Sequence, residues 1–229
     1  MKTVFIGSIL FIFLISCSSD QELNIPDDNN KQEVASTAGL LPENKANPMD
    51  YQGKRYYEAL SIYRQQNEFP NSIEELNQQI RFLGSQLEKS VTTNKGVIPF
   101  TDEIVASIMS DPDNSMIAIV QNSTLGSAAQ SNLINFLQGL IVQRQLEFSI
   151  SYAYIISYEN KIIAESSWSQ EEKDTILTIS SISRYSLYSE SERKDRDWES
   201  SAGNKSAKPF FSANEVSLIS IIALLQKVI

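Results

Sequence analysis

The sequence predicts an all-α protein, a small multi-helix bundle, and three observations point there. Ser-x-x-Glu capping boxes recur at Ser72/Glu75, Ser169/Glu172 and Ser212/Glu215, each placed before an apolar run. Apolar residues return at steps of three and four, most cleanly at Leu76, Ile80, Leu83 and Leu87. Strand-like alternation is confined to one stretch, 148–163.

The elements follow in chain order. Asn47-Pro48-Met49-Asp50 opens the folded part: Asn47 can cap, Pro48 suits a first helical position, and the Asp50 carboxylate meets free N–H groups. Met49, Tyr56, Leu60 and Tyr63 then share one face. Gly53 inside this helix costs about 1 kcal/mol against Ala, which implies that another element packs closely there. Phe69-Pro70-Asn71 breaks the chain before the Ser72 cap, and 92–96 reads as loop. Thr101 caps the next helix, with Phe100 and Val105 placed for a hydrophobic staple, and Asp111-Pro112 ends it. The acids around Asp111 are not a calcium loop, because Met116 and Asn122 stand where glycine and a bidentate acid are needed; a helix-connecting turn is expected.

Residues 127–147 are again helical, with Leu133, Leu137, Leu140, Ile141 and Phe148 inward. Two readings of 148–163 compete. A hairpin would turn at Glu159-Asn160-Lys161, giving an α+β protein; a helix would align Phe148, Tyr152, Ile155, Ile156 and Ile163. The helix is favoured, since isolated hairpins are marginal. The Ser169 box launches Ile176, Ile179, Ile182 and Tyr185 along one side, ending near Tyr188, and 189–209 reads as a solvated loop. The last helix, 212–229, is apolar nearly all round. Burial at the bundle centre is expected, with a surface for an envelope protein partner or the membrane as the alternative.

Composition narrows function. The 229-residue chain contains no histidine, which removes the usual general base, the usual zinc ligand and every Ser-His or Cys-His pair. No cofactor, metal site or catalytic residue is expected. Without Lys2, 18 basic side chains face 28 acidic ones, a net charge of −10 that disfavours nucleic acid as a partner. Cys17 is the single cysteine, so no internal disulfide can form.

The N-terminus carries the clearest motif. Lys2 precedes an apolar run over 4–15 that would rise only about 18 Å as a helix, short of a hydrocarbon core of about 30 Å. Its exit, Leu14-Ile15-Ser16-Cys17, resembles the lipobox of bacterial lipoproteins. An incidental thiol in a membrane helix and an ordinary secretory signal are the competing readings. The lipobox reading gives a signal peptide over 1–16, lipidated Cys17 with a flexible tether over 17–46, and a helical domain over 47–229. Acyl chains on Cys17 would add about 0.8 kcal/mol of membrane affinity per buried CH₂. An acidic tether of about 29 residues would reach roughly 30 Å.

Three segments together resemble a loose group of uncharacterised Bacteroidetes outer-membrane lipoproteins: Leu-Ile-Ser-Cys at 14–17, Asn-Pro-x-Asp-x-x-Gly at 47–53, and Glu171-Glu172-Lys173 through Ser181-Ile182-Ser183-Arg184-Tyr185-Ser186. The resemblance implies a lipidated helical domain at the outer membrane and carries over no active site. Related sequences often have a His-Asn pair soon after the glycine, where this chain has Tyr56-Tyr57.

Three roles fit. A non-enzymatic binding or structural module of the cell envelope, held by its lipid, comes first. An accessory glycan- or peptide-binding lipoprotein would need an aromatic platform from Tyr56, Tyr63, Trp168 or Trp198. A carboxylate-based hydrolase would need two acids about 5–10 Å apart across a cleft; Glu159 and Glu165 are candidates, though both read more simply as surface charges.

Overall fold

The computed structural model describes residues 40–88, 101–200 and 213–228, all within one compact unit, Ser36–Ile229. Among the described residues there are eight helices and no strand: α1 (Asp50–Gln66), α2 (Ile73–Glu88), α3 (Asp102–Ser110), α4 (Pro112–Gln121), α5 (Ser127–Gln143), α6 (Phe148–Ala164), α7 (Gln170–Ser200) and α8 (Ala213–Val228). The protein is all-α.

Three of the expected caps form, but α1 begins only at Asp50, with Met49 at its N-cap and no side-chain cap; Asn47 Oδ1 instead accepts Met49 N–H at 2.8 Å in the turn before it. Glu75 N–H donates to Ser72 Oγ at 3.1 Å, and Ile104 N–H donates to Thr101 Oγ1 at 3.4 Å. The Ser169 box closes in both directions: Glu172 N–H donates to Ser169 Oγ, and Ser169 N–H to Glu172 Oε2. The other oxygen of Glu172 accepts Gly126 N–H at 2.9 Å, so one carboxylate serves the starts of α7 and α5 together. Phe100 of the staple and Ser212 of the last box lie outside the described residues.

Asp111 does more than end α3. Its carboxylate accepts Asn114 N–H at 3.1 Å with Pro112 in the first turn, which starts α4, a helix the sequence reading left out. The 148–163 stretch is helix throughout. Phe148, Ile155 and Ile162 are buried at intervals of seven, and no hairpin turn forms at Glu159. Phe136 on α5 stacks on Tyr158 of α6, with centroids 4.0 Å apart at 11°.

The centre is a pair of helices. From Ile176 to Leu187 every α7 residue is buried apart from Thr178, and α7 packs against α1, α6 and α8. On α8, every residue from 216 to 225 is buried, covered by α7, α2, α3 and α4. The apolar surface considered for a partner is therefore already covered within the chain over those positions. Each such Val, Leu or Ile side chain contributes about 1.5–3 kcal/mol on burial.

Two expectations change at the edges of this core. The solvated loop expected from 189 does not begin there, because α7 continues to Ser200 with Ser189 and Glu190 still buried. The chain has no Gly or Pro between 170 and 200 to stop it. Residues 40–46, expected within the tether, belong to the helical body instead. Pro42 and Asn44 are buried, and Tyr152 Oη donates to the Glu43 carbonyl at 3.0 Å, so the body starts by Leu40.

Gly53 sits where α1 crosses α7. Ser181 Oγ accepts Gly53 N–H and donates to the Asp50 carbonyl, both at 3.1 Å, tying the first turn of α1 to α7. A Cβ on Gly53 would lie 2.3 Å from Ser181 Oγ, 2.5 Å from Tyr185 Cδ2 and 2.6 Å from the Ser181 carbonyl. The backbone oxygen cannot swing away. Gly53→Ala is therefore expected to lower stability by about 2 kcal/mol in urea unfolding, although Ala alone favours helix by about 1 kcal/mol. An unchanged or raised midpoint would show that the two helices are not this close.

Candidate functional site

Two polar features are built into the bundle. The first is an ion-pair cluster around Arg184, whose side chain is fully buried on α7. Its Nη2 lies 2.6 Å from Asp50 Oδ1 and 3.2 Å from Glu159 Oε1. Glu159, at 0% exposure, also accepts hydrogen bonds from the side-chain amides of Asn44 and Asn47 and from Ser180 Oγ. Asn47 reaches on to the Leu177 carbonyl at 3.1 Å, and Asp50 accepts Asn44 N–H and Tyr185 Oη. Burial, then the negative charge of Asp50, pushes the Tyr185 phenol well above its ordinary range.

A buried charge is costly unless it is paired; Arg184 makes both ion pairs through Nη2, while its Nε and Nη1 make no hydrogen bond. Here the chain leading into α1, the middle of α6 and the middle of α7 meet on three charged groups. Glu159 is thus no surface charge, and its oxygens are occupied by neighbours. Glu165 stands just beyond α6 and accepts Ser167 N–H and Oγ–H at 2.8 and 2.7 Å; those hydrogen bonds, the backbone one first, hold its carboxyl below the ordinary value. One acid is sealed and the other closes a surface turn, so they do not form a pair that could act across a cleft.

The second feature is a cavity of about 200 Å³ between the α5–α6 turn and α7. Arg144, Glu147, Glu190 and Lys194 supply its charges, while Phe148 and Leu187 supply apolar wall. Glu190 is 3% exposed. Burial raises its carboxyl to about 8, against the pull of a Ser217 hydrogen bond and the charges of Lys194, Arg64 and Arg193. Burial likewise draws the Arg144 guanidinium below its ordinary value, partly offset by Glu190, Glu215 and Asp113. Arg144 Nε and Nη1 and Glu190 Oε1 are buried without a hydrogen-bond partner. The serine hydroxyls of the lining are already used: Ser151 Oγ donates to Gln143 O, and Ser191 Oγ to Tyr188 O, both at 2.8 Å. Glu147, at the N-cap of α6, gives that helix no side-chain cap.

Sequence reasoning passed over Arg144 and Glu190. The Glu190/Lys194 spacing of four is a helix-face signal, but it sits in a Ser-rich run that reads as loop. Cys17, the one predicted modification site, lies outside the described residues, as does the side chain of Trp198. Tyr56 and Tyr63 are core residues and Trp168 is partly buried against the core, so these three form no exposed platform. Among the described residues no group of three metal-binding side chains occurs, and no helix is long and apolar enough to cross a membrane. Compared with known proteins, the chain matches no family model, no curated protein and no solved structure.

Proposed function

We propose that this chain is a lipid-tethered, non-enzymatic binding module of the cell envelope, acylated at Cys17 and held at the outer membrane. The observation that carries the binding role is the cavity at the α5–α6 turn, where buried cationic and acidic groups retain unused hydrogen-bonding atoms. A concave wall of apolar side chains carrying a few polar groups is the usual form of a small-ligand site. The sealed position of Glu159 favours binding over carboxylate hydrolysis.

Labelled palmitate is expected to enter the wild-type protein and sediment with membranes, and Cys17→Ala is expected to lose both. Affinity capture from detergent-solubilised membranes, with the same variant as control, then tests the role. A wild-type chain that takes no label and stays in the soluble fraction would overturn the anchor. Measurable turnover with no captured partner would overturn the non-enzymatic reading.

A further inference from the structure

The groups around the cavity at the α5–α6 turn fit one kind of ligand. We infer that this cavity binds a small organic monocarboxylate, about the size of a single six-membered ring, with its carboxylate between Arg144 and Glu190. The inference rests on the binding-module reading and gives it a ligand class.

Three observations support it. The first is size: about 200 Å³ exceeds the roughly 150 Å³ that holds a benzene molecule and falls short of drug-sized pockets. The second is charge. Burial keeps Glu190 protonated at neutral pH, so it meets an incoming oxygen as an O–H donor. The lining then holds the Arg144 and Lys194 cations against the Glu147 carboxylate, a surplus of one positive charge that suits a monoanion. A dianionic phosphate would exceed that surplus, and a cation would be repelled. The third is the lining: Arg144 Nε and Nη1 and Glu190 Oε1 make no hydrogen bond within the chain, while the apolar wall of Leu146, Phe148 and Leu187 offers room for a ring or an aliphatic body.

The groups facing Glu190 are Tyr56 and Arg64 on α1, Arg144 at the end of α5, Arg193 and Lys194 on α7, Ser217 on α8, and Glu147 across the cavity. Loss of the Glu190 proton is therefore expected to weaken carboxylate binding as pH rises through about 8.

The test is calorimetric titration of the full chain in detergent with benzoate and galacturonate, alongside benzamide, galactose and inorganic phosphate. At least one carboxylate is expected to bind at least ten times more tightly than its neutral counterpart and than phosphate. Arg144→Gln should weaken that binding at least tenfold, and Lys194→Gln, at an exposed position, about threefold with the fold intact. Glu190→Gln, which replaces the O–H donor by an amide, should weaken binding about threefold at pH 7 and lose the decline above pH 8. Equal binding of the neutral counterparts, preference for phosphate, or no heat with either carboxylate would overturn the inference. So would carboxylate binding that neither cation variant weakens. A chain that takes palmitate and retains an envelope partner yet binds no carboxylate fails on the ligand alone.

Discussion

Arg184→Met is expected to lower the free energy of unfolding by about 3–5 kcal/mol, the usual cost of removing one member from a buried ion pair. Methionine fills much of the same volume, so the loss is mainly electrostatic. Glu159 would keep the two asparagine amides and Ser180 Oγ, but no cation would balance it at 0% exposure. Asp50 would keep Asn44 N–H and Tyr185 Oη and stay partly wet, so most of the penalty falls on Glu159. Two companion variants separate charge from shape. Arg184→Met with Glu159→Gln should recover part of the loss, because no unpaired carboxylate is left inside. Arg184→Lys keeps the charge but lacks the planar guanidinium, and should fall between wild type and Met. Guanidinium unfolding gives the energies, and tryptic release at Lys45 reports whether residues 44–50 detach first. A loss below about 1 kcal/mol for Arg184→Met, with Lys45 still protected, would mean that the cluster does not hold the start of the body.

The helical class was legible because its signals are local. Ser72 and Ser169 cap where a Ser-x-x-Glu box requires, and the stripe of Leu76, Ile80, Leu83 and Leu87 is buried as its spacing implies. Gly53 could be read as a point of close approach because nothing else justifies a glycine inside a helix. The misreadings share a different cause. Glu159, Arg184 and Glu190 belong to residue types that normally face water, and only tertiary packing brings partners to the first two from more than 20 residues away. The second half of α7 looked like loop because Ser and mixed charges usually mark one. Ser189 in that stretch is instead a small buried side chain that accepts a hydrogen bond from Arg64. The candidate cavity was illegible for the same reason, since its lining comes from a helix end, a turn and the flank of a third element.

Glu190→Gln is expected to flatten the pH dependence of stability between about pH 4.5 and pH 8, and to make the protein more stable than wild type at pH 9. The carboxyl ionises near its ordinary value of 4.5 in the unfolded chain and near 8 in the folded one. Between those values the folded state holds the extra proton, so the free energy of unfolding falls as pH rises. The stability that the protonated acid contributes is complete below about pH 4.5 and gone above about 8. Each pH unit in that window is worth about 1.4 kcal/mol at most, and glutamine forfeits part of the gain through imperfect packing. An advantage of about 2–4 kcal/mol at pH 9, vanishing near pH 4.5, is the expected result. The lowered acids, Glu103, Asp111, Glu165 and Glu172, work in the opposite sense and at lower pH, so they cancel in the comparison of variant with wild type. Parallel unfolding curves for the two proteins from pH 5 to pH 9 would show that Glu190 ionises as freely inside the bundle as outside it. The carboxylate-binding inference would then lose its proton donor along with the pH effect.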